Sequence, residues 1–151
     1  MAFDTRRGTR GARQPGGRMM ALVNRWMMRR IRKSKGVGSN MLVLTTVGRK
    51  SGVERQNPVN YFPGDRDGDN WLIVASAAGA AGNPAWFHNL AAHPDQVRIE
   101  LAGREIPVTA EQLTGPERDQ AWTAISTSSA RFAQYQQKTD RELPVIRLTP
   151  R

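Results

Sequence analysis

The spacing of apolar positions changes character along this 151-residue chain. Over residues 18–35 it runs RMMALVNRWMMRRIRKSK, with apolar side chains recurring every three or four positions. Met19, Met20, Leu22, Val23, Trp26, Met27 and Ile31 fall on one side of a helix, with Asn24, Arg25, Arg29 and Arg32 opposite or flanking. From residue 40 the pattern shortens to that of strands. MLVLTTV at 41–47 and the run at 54–62 flank the turn GRKSG at 48–52, which predicts a hairpin. A strong turn, PGDRDGDN, carries Asp65, Asp67 and Asp69 into a short apolar run, WLIVA, at 71–75. After the small-residue loop SAAGAAG, Asn83 as N-cap and Pro84 at the first helical position predict a helix over 84–93, stopped by Pro94. A second hairpin is expected from 96–101 and 105–109. TGPE at 114–117 reads as a capping box opening a helix, another helix is expected over 130–138, and 143–148 closes the chain as a strand. The sum is a mainly β, α+β domain: six strands in a small antiparallel barrel, with connecting helices and an amphipathic helix in front.

Charge divides the chain differently. The net charge is +10, and residues 1–35 hold 11 of the 23 Lys and Arg residues against Asp4 as their one acid, so the remainder is neutral. The expected organisation is therefore a disordered Gly- and Arg-rich leader at 1–17, a basic amphipathic helix at 18–35 and a cofactor-binding barrel at 40–151. The helix suits an anionic membrane surface; packing on the domain is the plainer alternative. A nucleic-acid-binding role through the leader is a rival reading, but binding domains usually spread their bases over a folded face. The absence of cysteine removes disulfides and thiolate sites and suits a cytosolic protein. Only His88 and His93 are available as imidazole ligands, so no metal site is expected. The apolar run at 19–23 is too short for a signal core, and no run approaches a membrane span. A cytoplasmic location, peripheral on the inner face of the plasma membrane, is the expectation.

Three segments carry candidate chemistry. In GRKSG, the glycines free the backbone amides, Arg49 offers a planar fork, Lys50 a point charge and Ser51 a hydroxyl, as an anion-binding loop requires. A soluble hairpin tip has the same composition. The loop from Ser76 leaves room for a flat ligand, with Trp86 beside it, although a plain connection with Trp86 in the core reads equally from the residues. Phe132 and Tyr135, three apart on a helix, suit a pocket wall or simple core packing. No nucleophile–base arrangement or carboxylate pair is convincing, which favours chemistry delegated to a cofactor.

In order along the chain, LTTVGRKSG, the segment from Arg55 to Val59, GNPAWFHNLAAHP and YQQKTDRELPVI resemble the deazaflavin-dependent nitroreductase family, actinobacterial-type oxidoreductases on a split β-barrel. The resemblance spans residues 40–150. It implies 8-hydroxy-5-deazaflavin, coenzyme F(420), bound reduced as a hydride donor to a quinone-like or nitroaromatic acceptor; flavin mononucleotide is the alternative ligand for such a barrel. On the matching positions it implies that Arg49, Lys50, Ser51 and Gly52 hold the cofactor phosphate, with Arg55 and Asn57 nearby. Pro58, Val59, Ala75, Ser76, Ala77, Ala78 and Gly79 would border the ring, with Trp86 and Asn89 behind it. Trp26, Asn60, Ser129, Phe132 and Tyr135 would meet the acceptor, and Tyr135 or Ser76 would supply a proton. The chain departs from some relatives at Ala77 and Gly82, where they carry lysine, and at Ser129 and Phe132, where nitroimidazole-reducing relatives display tyrosines.

Overall fold

The computed structural model describes residues 3–14, 16–34, 40–64 and 66–151; Lys35 and Asp65, named above in the helix and the turn, lie outside them. Helix α1 (Gly17–Ser34) leads into β1 (Met41–Val47), β2 (Glu54–Asn60), the short β3 (Phe62–Pro63) and β4 (Trp71–Val74). A single 3-10 turn and α2 (Ala85–Ala92) precede β5 (Val97–Leu101) and β6 (Arg104–Gln112). Helices α3 (Gly115–Ser128) and α4 (Ala130–Lys138) come next, and β7 (Val145–Pro150) ends the fold.

The strands form one antiparallel sheet in the order β2-β1-β5-β6-β7-β4-β3, curled into a half-barrel, with β2 also reaching β4. The expected antiparallel split barrel is present, with seven strands where six were expected. The run at 54–62 accounts for the extra one. It breaks at Tyr61, whose N–H donates to Asn40 O, and Phe62 and Pro63 then pair with Leu72 and Trp71. Pro58 is tolerated opposite Val43 because β2 is an edge strand, where a missing N–H breaks no second ladder.

Register decides what each face buries. Leu44 lies opposite Ile99, and both are fully buried inside the barrel with Leu42, Ile73, Phe87, Ile146 and Leu148. The next positions face the other way: Val43 lies opposite Glu100 and Thr45 opposite Gln56, and Arg32 of α1 bonds both Glu100 and Gln56. Strand β1 is thus buried on both sides, by the barrel interior and by α1. A second core, with Phe62, Leu72, Val74, Ile125, Phe132 and Val145, seats α3 and α4 on the opposite surface of β4 and β7.

Two expected caps take other forms. Helix α2 begins with Pro84 as N-cap, and Asn83 instead faces inward, 5% exposed, donating to the carbonyls of Thr5 and Arg6 and accepting from Arg141. Thr114 does cap α3, but without a side-chain bond, and Glu117 is drawn from the box to the guanidinium of Arg147, itself 1% exposed, at 2.5 Å. A buried cation outbids a helix-end amide for a carboxylate.

Residues 3–14, expected to be disordered, run as an extended strap across the domain. Gly8 N–H donates to Ala81 O, Ala12 N–H to Gly79 O, and Thr139 Oγ1 to Arg10 O. The Asp140 carboxylate accepts from the backbone N–H of Thr9 and Arg10 and from the Thr9 hydroxyl. Phe3 packs edge-on against Phe87 at 5.7 Å. Glycine makes the approach possible: a Cβ on Gly11 would stand 2.3 Å from Ala81 N.

Candidate active site

The GRKSG turn closes through Gly52 N–H to Gly48 O and Gly48 N–H to Val53 O. Helix α2 then fixes it in space. Buried Asn89 accepts the Arg49 N–H at 3.0 Å and donates to Thr46 Oγ1 at 3.1 Å. The Ser51 hydroxyl oxygen accepts the Val53 N–H at 3.2 Å, which leaves its proton for a ligand. Arg25 of α1, Arg49, Lys50 and Arg55 all border the cavity beside this turn, and none of these side chains has a hydrogen-bond or ion-pair partner among the described residues. Glu54 is the one acid at its edge, and Arg98 binds that carboxylate. The cavity, about 910 Å³, is therefore a cationic chamber suited to an anion.

The small-residue loop builds a second chamber. Ala77, Ala78 and Gly79 have φ of 46°, 55° and 81°, so two alanines hold a left-handed conformation at about 1–2 kcal/mol each. Buried Arg141 grips the loop from behind, donating to the carbonyls of Ala75, Ser76 and Ala80 at 2.8, 2.8 and 3.1 Å. Ser76, Ala77 and Ala78 line one side of the chamber, Pro58, Val59 and Asn60 of β2 another, and Trp86, Phe132 and Tyr135 supply aromatic walls. Its volume is about 480 Å³, the size of a pocket for a flat heterocycle. Asn57 and Trp86 border both chambers, so the two form one continuous cleft.

Helix α1 is the roof. Met20, Ala21 and Asn24 line the inner chamber, while Ala21, Asn24, Arg25 and Met28 line the outer one. Ile31, 6% exposed, anchors the helix and sets its rotation. Trp26 follows Asn24 by two residues, roughly 200° around the helix axis; it faces outward, 56% exposed under the Arg30 guanidinium, and lines neither chamber. A polar residue expected on the solvent side thus faces the site, and the tryptophan expected over the acceptor faces away.

Other expected site residues serve the frame. Gly52, with φ 70°, closes the turn and borders neither chamber. Ala75 is fully buried, with its N–H on Pro144 O, and Gly79 is buried beneath the strap. Ser129 is spent at the junction of α3 and α4, where its N–H donates to Ile125 O. Phe132 is 4% exposed and packs edge-on with both Phe62 and Tyr135, so it is core and wall together. Of the positions where some relatives carry lysine, Ala77 lines the inner chamber and Gly82 lies beneath Gln14 of the strap. Sequence reasoning missed the roof residues, Gln14 and Arg131. No local pattern in the sequence marked them, because each reaches the chamber from an element whose packing depends on distant residues.

Electrostatics agree with the anion reading. Partial burial and then the Arg49 charge hold the His88 imidazole below its ordinary value, so it stays neutral near pH 7 and adds no cation. Cations that have no counter-ion among the described residues are concentrated on one side of the cleft, and aromatic and small residues on the other.

Known proteins resemble this chain in sequence and in fold. The family model described as F420H(2)-dependent quinone reductase matches residues 21–150. An F420H(2)-dependent quinone reductase of Mycobacterium tuberculosis is 39% identical over 113 residues, covering 73% of each chain. Among solved structures, an F420-H2 dependent reductase is similar with TM-score 0.63 and 32% identity, over 72% of this chain and 93% of the other. A chain solved as a domain-swapped dimer is similar with TM-score 0.65 and 28% identity, over 87% of this chain and 99% of the other.

Proposed function

The chain belongs to the F420H(2)-dependent quinone reductase family, and from that premise we propose that its two-chamber cleft seats the reduced deazaflavin and a quinone-class acceptor. The observation that carries this reading is the division of the cleft: an aromatic and small-residue chamber joined to one bordered by Arg25, Arg49, Lys50 and Arg55. A deazaflavin coenzyme has the same two parts, a flat ring and a phosphate-bearing tail. Arg49, Lys50, Ser51 and Arg55 would hold the tail, with Asn57 at the junction. Val59, Ser76, Ala77, Ala78 and Trp86 would enclose the ring.

Bound there in its reduced form, the deazaflavin would supply a hydride for an acceptor. The protein's own share is positioning and exclusion of water. Trp86 and the loop fix one side of the inner chamber, and Met20, Ala21 and Asn24 roof it, which replaces a chance encounter by a fixed geometry. Tyr135 and Ser76 both border this chamber with hydroxyls that have no partner among the described residues. Each holds a proton that the reduced acceptor needs. Asn60 borders the same chamber from β2 and would orient an acceptor carbonyl.

The outward face of α1 suits a lipid surface. Met19, Leu22, Val23 and Trp26 form an exposed apolar stripe at helical spacing, flanked by arginines, and the helix carries no acid. An anionic membrane would receive both parts and bring the enzyme near lipid-soluble quinones. No helix among the described residues is long and apolar enough to cross a membrane.

Titration of the full chain with oxidised and reduced coenzyme, and with flavin mononucleotide, tests the reading, followed by turnover with menadione. Tight deazaflavin binding and menadione reduction are expected. Arg49→Ala with Lys50→Ala should raise the dissociation constant and leave the fold intact. Absence of deazaflavin binding by the wild-type chain would sink the proposal.

A further inference from the structure

Arg141 stands out as a buried cation with no carboxylate partner among the described residues. It is 4% exposed, and its sequence neighbours are engaged elsewhere: Asp140 with the strap and Glu142 with Arg118. Its guanidinium is satisfied by the carbonyls of Ala75, Ser76 and Ala80 and by Asn83 Oδ1 at 2.6 Å. The residue is itself held in place, since its N–H donates to Thr139 Oγ1 and its carbonyl accepts from Gln136 Nε2. Burial pushes its pKa down to about 10, so it remains charged at neutral pH.

What the grip does follows from peptide geometry. In a trans peptide the N–H points opposite to the preceding carbonyl. Ala75 and Ser76 aim their carbonyls inward at Arg141, so the N–H groups of Ser76 and Ala77 point away from it. Both residues border the inner chamber, and neither N–H has a partner among the described residues. Farther along the loop, Gly79 N–H is used on Ser76 O and Ala80 N–H on Ala77 O. Ala78 N–H also has no partner among the described residues, but it follows the Ala77 carbonyl, which Arg141 does not hold, so the Ser76 and Ala77 amides are the two that the clamp aims.

We propose that Arg141 is the positioning residue of the inner chamber: by clamping the Ala75 and Ser76 carbonyls it presents the Ser76 and Ala77 amides as a donor pair for the acceptor edge of a planar heterocycle. The uncompensated cation behind them strengthens both donors toward a carbonyl or an anionic ring edge. The clamp also opposes the left-handed strain at Ala77 and Ala78, which would otherwise relax and turn those amides away. Lysine keeps the charge but offers no planar fork, so the proposal separates shape from charge. The identity of the heterocycle rests on the function proposed above; the clamp itself does not.

Amide exchange in the cofactor-free full chain tests the clamp, and titration with oxidised coenzyme F(420) tests its use. In Arg141→Lys, exchange at Gly79 and Ala80 should accelerate about tenfold while Leu44 and Ile99 in the barrel stay unchanged. Affinity for the coenzyme should fall by about tenfold, the cost of misplacing a charge-supported donor pair. Acceleration spread evenly over Leu44 and Ile99 would make Arg141 a general structural residue and overturn the proposal. Wild-type affinity in Arg141→Lys would overturn it as well. Asn83→Ala removes one arm of the clamp and provides the same two readouts, at a smaller amplitude, should Arg141→Lys not fold. If the wild-type chain does not bind the coenzyme, the proposed function fails, and the exchange data still decide the clamp.

Discussion

The side chain of Asn89 joins two elements that are 40 positions apart in sequence, accepting the Arg49 N–H while its amide nitrogen holds Thr46 Oγ1. Helix α2 thereby fixes the cationic turn against the strand that precedes it. Asn89→Leu leaves the buried Thr46 oxygen and the Arg49 amide without partners, a cost of about 1–3 kcal/mol. Chemical denaturation should register that loss. Coenzyme affinity should fall further than the stability change alone explains, because the turn loses its anchor.

His88 reports on the same turn. Its pKa is lowered first by partial burial and second by the charge of Arg49. Arg49→Ala should raise it toward the ordinary value without restoring it fully, since the burial remains. A phosphate bound at the turn should move it in the same direction by neutralising Arg49. An NMR titration of the imidazole reads both shifts, and an unmoved His88 in Arg49→Ala would separate the two residues.

Acid should release the strap. Bonds from Thr9 and Arg10 hold the Asp140 carboxyl down to about 2, below its ordinary 3.8. A depressed carboxylate contributes stability that is complete above its unfolded value and lost as pH falls through its folded one. The Thr9 amide resonance should therefore move between about pH 4 and pH 2. At neutral pH, Asp140→Asn should speed tryptic cleavage after Arg7 and Arg10 with little effect on the barrel.

Gly11→Ala should displace the strap more completely, because its Cβ would meet backbone atoms of Ala80 and Ala81 within 2.7 Å. Loss of protection at the Ala12 amide, which donates to Gly79 O, is the expected reading in hydrogen exchange.

The outward stripe of α1 predicts anionic-membrane binding that weakens with salt, as screening shortens the reach of its arginines. Leu22→Ser with Trp26→Ser removes about 2 kcal/mol of apolar burial, or roughly thirtyfold in partitioning. Vesicle co-sedimentation with anionic and zwitterionic lipid measures it. Neither residue borders the cleft, so coenzyme affinity should not change.

The sequence by itself determined the local elements and the chemical character of the site. The β-rich run MLVLTTV, the turn chemistry of GRKSG and the helical spacing over 130–138 each act within a few residues, and β1, the turn and α4 match them. The cations of the turn and the small residues after β4 were likewise legible as residue types, and the fold sets them on the outer and inner chambers. Tertiary structure decided everything that depends on a distant partner. The leader looks disordered by composition and lies in place because Asp140 and the carbonyls of Gly79 and Ala81 accept its bonds. The apolar side of helix α1 suits either the domain or a membrane surface, so its rotation was open. The burial of Ile31 turns Asn24 into the cleft and Trp26 out of it. The contacts of Arg141 cannot be read from TDREL itself, because they exist only where 66 positions of chain fold back to bring Ala75 against it.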